Sequence, residues 1–211
     1  LETLEQAGGH YDQALALKPG YARALSGKAN ILYLLGSGDF SGQEPDPDML
    51  ESARERFDAI LKLEDPEVAD IELNLHFTLG KIHLLQGEAG WEQARKEFEF
   101  ILERYGQLPD KSLEELAGHT YARLGLLAYY GGDLPEAETL LLAAVERVSP
   151  HYQASYLGTL AQMFKNKGDP ARAIQLYTRA QDITTFYCED ENAEGYYQAI
   201  QTLLGMDAPQ E

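Results

Sequence analysis

The sequence predicts an all-α chain of about ten helices arranged as antiparallel pairs, and three observations carry that prediction. Apolar residues recur at intervals of three and four along most of its 211 residues, the period of one helix face. One spacing occurs five times: an alanine, an aromatic or aliphatic residue four on, and a small or apolar residue three further. It is read at Ala7-Tyr11-Ala14, Ala53-Phe57-Ile60, Ala94-Phe98-Ile101, Ala137-Leu141-Ala144 and Ala173-Tyr177-Ala180. The stretches between helical segments are mostly short and built of glycine, proline and aspartate, which stop one helix and cap the next.

The unit is clearest from Tyr121 to Pro150. Leu124-Gly125 lies in a first helix, Gly131-Gly132-Asp133 breaks the chain, and Pro135 opens a second helix bearing Ala137, Leu141 and Ala144. A small residue in each helix, twelve positions apart, lets the two backbones approach closely.

From the N-terminus, residues 1–19 read as the second helix of a repeat whose first helix is missing, ended by Leu17-Lys18-Pro19-Gly20 and weakened by Gly8-Gly9. This implies a fragment with more chain upstream. Residues 20–65 form the next pair. Its first helix runs Tyr21–Leu35, with Leu25, Ala29 and Leu32 on one stripe. A glycine- and acid-rich insertion over 37–46 follows, expected to be mobile with Phe40 its one apolar anchor. Asp46-Pro47 then caps the second helix. Residues 66–106 pair a helix opened by Asp65-Pro66, running to about Gln86 and carrying Leu79-Gly80, with one that starts near Trp91 after a turn at Gly87–Gly90. Residues 112–150 open on Ser112 and Glu115, which read as a capping box. Residues 151–185 carry Leu157, Leu160-Ala161 and Phe164, turn at Gly168-Asp169-Pro170, and continue through Ala173, Tyr177 and Ala180. Thr184–Glu191 reads as a polar connection, and 191–205 as a terminal helix covering the last apolar face.

These residues resemble the tetratricopeptide repeat, whose pattern runs W-x2-L-G-x2-Y, then A-x3-F, then P. Tyr121 stands at the tryptophan position, Ala128 at the tyrosine and Leu141 at the phenylalanine. Lys28 replaces the usual leucine, so that repeat departs from the pattern. The small residues Ala29, Gly80, Gly125 and Ala161 are 51, 45 and 36 apart, against an ideal period of about 34. The resemblance implies a right-handed α-solenoid in which first helices line a concave groove, and a scaffold that binds peptides or partner proteins.

Composition narrows the function. With 17 basic and 35 acidic residues the net charge is −18, which repels nucleic-acid backbones and anionic lipid surfaces. Neither nucleic acid nor membrane is an expected partner. No apolar run approaches the roughly 20 residues of a membrane helix, and the first residues lack the pattern of a signal peptide. The single Cys188 permits no internal disulfide. Together these point to the cytoplasm, with the periplasm left open.

No catalytic or cofactor constellation emerges. There is no Gly-x-Ser-x-Gly and no phosphate loop, and acidic neighbours oppose activation of Cys188. His76 and His83 fall on one helix face, seven apart, but occupy packing positions of the repeat, without a further ligand to complete a metal site. Asp46, Asp48 and Glu51 lack the glycine of a calcium loop and read as a helix cap. No enzyme, cofactor or metal is expected.

The acids are distributed unevenly. Tyr21–Gly36, Leu73–Gly87, Leu116–Gly131 and His151–Gly168 hold no Asp or Glu, yet carry Arg23, Lys28, Lys81, Arg123, Lys165 and Lys167, so they sum to +6 and the remainder to −24. Burial alone would deplete both signs. The groove positions that the resemblance implies are Arg23, Ser26, Asn30 and Tyr33; Asn74, Phe77, Lys81 and Leu84; His119, Ala122, Leu126 and Tyr129, with Arg123 beside them; and Ser155, Gly158, Gln162 and Lys165. Asparagine and glutamine can grip a peptide backbone, cations can hold carboxylates, and Phe77 and Tyr129 would supply apolar anchoring. The lysine–asparagine carboxylate clamp of chaperone-binding repeats is not reproduced, because Ser26 stands where its lysine would precede Asn30. Lys81, His119 and Arg123 are expected to converge.

Three functions compete at this stage. One is a scaffold whose groove binds a peptide or partner segment of acidic character. The second is a regulatory or sensory domain of a larger enzyme or transcription regulator. The third is homo-oligomerisation through the terminal faces.

Overall fold

A computed structural model describes residues 2–38, 42, 44–107, 110–187 and 190–205. Phe40 and Cys188, singled out above, lie outside the described residues. Among those described, the chain forms ten α-helices and no strand. It is gathered into two compact units, residues 1–101 and 102–211. The first holds α1 (Glu2–Leu17), α2 (Ala22–Gly36), α3 (Pro47–Leu61), α4 (Pro66–Leu85), a 3-10 turn at Gly87–Gly90 and the start of α5 (Trp91–Gln107). The second holds a 3-10 turn at Lys111–Leu113, then α6 (Glu114–Tyr130), α7 (Leu134–Val145), α8 (Pro150–Asn166), α9 (Pro170–Phe186) and α10 (Asp190–Leu203).

Aspartate side chains start four of these helices. Asp46 accepts from the backbone N–H of Asp48 and Met49, Asp65 from Glu67, Asp133 from Glu136 and Asp169 from Arg172, at 2.9–3.1 Å. Each is followed within two residues by a proline, which needs no N–H partner in a first helical turn. The α6–α7 and α8–α9 turns are built alike. Gly132 and Gly168 take φ of 90° and 78°, the left-handed conformation glycine adopts freely. The next residue's N–H then reaches back to close the preceding helix, Asp133 to the Ala128 carbonyl at 2.8 Å and Asp169 to Phe164 at 2.9 Å.

The paired helices meet through the small residues. A Cβ on Gly125 would lie 2.9 Å from Leu141 Cγ and 3.3 Å from the Ala137 carbonyl, so α6 and α7 cross backbone to side chain there. On α4, a Cβ at Gly80 would strike the fully buried ring of Phe98 on α5. Gly27 of α2 is filled in the same way by the Tyr11 ring of α1. The five-fold spacing is core throughout the later units: Ala53, Phe57, Ala94, Phe98, Ile101, Ala137, Leu141, Ala144, Ala173 and Ala180 are all buried. Tyr196 and Ile200 of α10 complete the second unit's core, packing with α8 and α9.

Two sequence expectations are corrected. The start of the 112–150 pair is capped by Asp110, whose carboxylate accepts from the Ser112 N–H at 2.9 Å, and not by a Ser112–Glu115 box. The 3-10 turn at Lys111–Leu113 moves the α-helical start to Glu114, so the box geometry has no first turn to close. Thr184 belongs to α9 and is buried, its hydroxyl donating to the Ala180 and Gln181 carbonyls, so no polar connection begins there. The helices also outrun the acid-free segments: α4 opens with Glu67, Asp70 and Glu72, and α6 with Glu114 and Glu115.

Candidate functional site

In the second unit, α6 and α8 present a cleft of ≈ 500 Å³. Leu126, Tyr129 and Tyr130 line it from α6, and Gly158, Thr159, Gln162, Met163 and Asn166 from α8; Tyr177 of α9 closes it. A relay of hydrogen bonds crosses it. The Tyr177 hydroxyl donates to Gln162 Oε1 at 2.9 Å, Gln162 Nε2 donates to Asn166 Oδ1 at 2.7 Å, and Asn166 Nδ2 donates to Tyr129 Oη at 3.3 Å. The relay orients both amides, each spending its oxygen and one N–H. Among the described residues nothing takes the second N–H of each amide or the Tyr129 hydroxyl proton, which leaves them for a ligand. Gly158 keeps the floor low for a local reason. A Cβ there would lie 2.7 Å from the Tyr196 ring, which is held by a 3.0 Å hydrogen bond from its hydroxyl to the Ala154 carbonyl.

The same two helices also carry an aromatic cluster. His119 Nδ1 and the Tyr156 hydroxyl share a 2.6 Å hydrogen bond. The His119 ring meets Tyr152 edge-on with centroids 4.5 Å apart, and His151 packs on Tyr152 at 5.3 Å. Burial pushes the Tyr156 phenol above its ordinary range; Arg123 acts to lower it, and Tyr152 and Glu115 to raise it further. The Tyr177 phenol is likewise raised by burial.

In the first unit, Lys81 lies over the rings of Tyr33 and Phe77, at 4.4 and 5.6 Å from their centroids. The three form one cation–π group. Tyr33 is buried, so it serves as the floor beneath Lys81. Arg23 is ion-paired with Asp70 at 2.9 Å. Asn30 and Asn74 are exposed. His76 bonds Glu97 at 2.5 Å and packs on Phe100, while His83 bonds Gln86 at 3.1 Å. Among the described residues no three His, Cys, Asp or Glu side chains form a cluster that could hold a metal, and no helix is long and apolar enough to cross a membrane.

Of the residues picked from the sequence, the structure thus gathers Tyr33, Phe77 and Lys81 in one unit, and Tyr129 with Gln162 in the other. His119 and Arg123 stand together around Tyr156, with Lys165 half-buried one turn beyond Gln162 on α8. Lys81 is in the first unit, whereas His119 and Arg123 are in the second. Sequence reasoning missed Tyr130, Thr159, Met163, Asn166, Tyr152 and Tyr156, and read Tyr177 as packing alone. Asn166 had a signal, since it follows Gln162 by four residues and so shares its helix face.

Residues 122–187 match the family model of the tetratricopeptide repeat. That stretch carries the tetratricopeptide repeat. Solved structures share the chain's fold at low identity. A thermophilic protein of the family from Thermus thermophilus, TTC0263, superposes with a TM-score of 0.62 at 17% identity, over 93% of this chain and 90% of that one. PilF of Pseudomonas aeruginosa gives 0.58 at 16%, over 96% and 85%. YrrB, a family protein with an unusual peptide-binding site, gives 0.52 at 20%, over 87% and 79%. No curated protein matches the chain in sequence. The fold is therefore an all-α solenoid of helix pairs like those of the tetratricopeptide repeat.

Proposed function

We propose that the chain is a non-catalytic protein-interaction scaffold, and that the cleft over α6 and α8 grips the backbone of a partner peptide. The observation that carries this is the Tyr177–Gln162–Asn166–Tyr129 relay, which fixes two amides with N–H groups left to donate on a partly apolar floor. A pre-oriented amide loses little rotamer freedom on binding, so its hydrogen bonds contribute more fully. Tyr130, more than half exposed at the rim, offers an aromatic face to a ligand side chain. The peptide's acidic character draws support from Arg123, one turn before Leu126 on α6, and from Lys165, one turn from Gln162 on α8. Arg23 adds little to it, being paired with Asp70.

The test is selection of peptides from a displayed random library on the parent protein, followed by fluorescence anisotropy with the winners. Gln162→Ala with Asn166→Ala should weaken these peptides about tenfold or more, as the loss of two or more hydrogen bonds implies. Arg123→Glu should weaken the acidic winners selectively. Equal binding by the parent and the double variant would sink the cleft reading. Predominantly basic winners would sink the acidic one.

Self-association has an observation of its own. Phe186, Tyr187, Tyr197 and Leu204 of the α9 and α10 region are all about half or more exposed. Sedimentation of the parent against Phe186→Ser decides whether these side chains join two copies.

A further inference from the structure

A second cleft lies in the first unit, over α2 and between α1 and α3. It has two lobes. One, of ≈ 300 Å³, is lined by Leu4, Glu5 and Gly8 of α1 and by Ile31, Leu32 and Leu35 of α2. The other, of ≈ 210 Å³, is bordered by Leu15, Leu25, Ala59, Ile60 and Leu63. Lys28 and Arg56 line both lobes, so two cations stand between two apolar hollows.

This cleft is not the groove expected from the repeat pattern. At about 100° per residue, Leu25, Lys28, Ile31, Leu32 and Leu35 fall on one face of α2, and Arg23, Ser26, Asn30 and Tyr33 fall on the opposite one. Lys28 stands where the repeat pattern calls for leucine. A leucine packs down into the neighbouring helix, whereas a lysine carries its ammonium outward along the apolar surface and leaves hollows on either side.

The two cations differ in what holds them. Lys28 is ion-paired with Asp12 of α1. Arg56 makes no ion pair or hydrogen bond among the described residues, although the protein holds 35 acidic residues against 17 basic ones. Its helix neighbours at three and four residues are Ser52, Ala53, Ala59 and Ile60, none of them acidic. Arg54, two positions away, is held by Glu51 and Asp58. Arg56 is thus an exposed guanidinium that no described carboxylate claims, set at the junction of two apolar hollows.

The geometry points to a second docking surface here, for a partner segment that places one carboxylate between two apolar side chains. The carboxylate would take the two-pronged hydrogen bond that guanidinium offers, and the apolar side chains would fill the lobes on either side. The arrangement follows the usual order of an interface hot spot, a charged anchor flanked by surface that excludes water. It selects against basic partners, because Lys28 lies beside the anchor.

The experiment is a displayed 12-residue peptide library selected in parallel on the full 211-residue chain, on its Arg56→Glu variant and on the Gln162→Ala/Asn166→Ala variant. Arg56→Gln is the milder control, and circular dichroism checks that each variant is folded. The expected result is a class of peptides with Asp or Glu between apolar residues that binds the parent and the Gln162/Asn166 variant alike. That class should bind Arg56→Glu at least about tenfold more weakly, with Arg56→Gln between. The proposal is overturned if no such class appears, if the peptides lost on Arg56→Glu carry no acid, or if every acidic peptide is lost on the Gln162/Asn166 variant instead. The last result would assign all binding to the cleft over α6 and α8. Loss of that cleft's peptides alone leaves this second class standing, so the two readings fail separately.

Discussion

Gly80→Ala should destabilise the protein although alanine is the better helix former. The new Cβ would lie 2.5, 2.6 and 3.0 Å from three carbons of the Phe98 ring, where 3.4–4 Å is ordinary contact. Phe98 is fully buried, on the stripe with Ala94 and Ile101. Overpacking of this kind costs about 1–3 kcal/mol, and an approach this close to a ring belongs at the upper end. The helix preference for alanine over glycine returns about 1 kcal/mol, which leaves a net loss of about 1–2 kcal/mol. Gly9→Ala is the internal control. It sits within α1 with nothing inside 4 Å of its would-be Cβ, so it should gain about 0.5–1 kcal/mol. Urea unfolding followed by fluorescence of Trp91, the one tryptophan, reports on the first unit at the start of α5. The midpoints of the two variants should move in opposite directions with the slope unchanged. Gly80→Ala with Phe98→Leu should lose less than the sum of the single changes, because the smaller side chain makes room for the Cβ. A Gly80→Ala protein as stable as the parent would show that α4 and α5 separate without cost, and the close-crossing argument would fall.

Other measurements follow from the same geometry. Asp110→Ala should lower the melting temperature at pH 7, and Ser112→Ala should lower it less, since it removes the hydroxyl bond to Asp110 but keeps the backbone one. Hydrogen bonds from Ser112 hold the Asp110 carboxyl below its ordinary value of 3.8, so its contribution is present above that value and lost as the pH falls through the lower folded one. The gap between Asp110→Ala and the parent should accordingly close in strong acid. Tyr156 has the opposite sign: burial raises its phenol, so the stabilisation is whole below pH 10 and is lost as the pH rises through the folded value. Tyr156→Phe should remove one phenol from the late part of an ultraviolet alkaline titration. Chelator should leave the unfolding curve unmoved, since His76 and His83 are bonded to Glu97 and Gln86. A drop in melting temperature would count against that packing.

The sequence by itself determined the helices, their pairing and most of their ends. These depend on local chemistry: a three-and-four period, an aspartate and a proline at helix starts, and a glycine where the turn needs positive φ. They are written in consecutive residues, which is why Ala137, Leu141, Gly132 and Asp133 could be placed without coordinates. The same reasoning failed at Ser112 and Thr184, where alternatives of similar local quality compete and a 3-10 turn or a buried hydroxyl decides between them.

The candidate sites were legible only in part. The repeat pattern placed Tyr129 and Gln162 on groove faces. It did not show that Tyr177, a core residue of α9, sends its hydroxyl into the same cleft, or that Asn166 completes the relay. Charge was read least well, because an acid-free segment says nothing about carboxylates brought by its neighbours. Arg23 is taken up by Asp70 and Lys28 by Asp12, each from another helix, while Arg56, on an acid-rich helix, is left without a partner among the described residues. Which cations stay available is set by side chains tens of residues apart in the chain meeting across helices, and that is fixed by packing rather than by any local pattern.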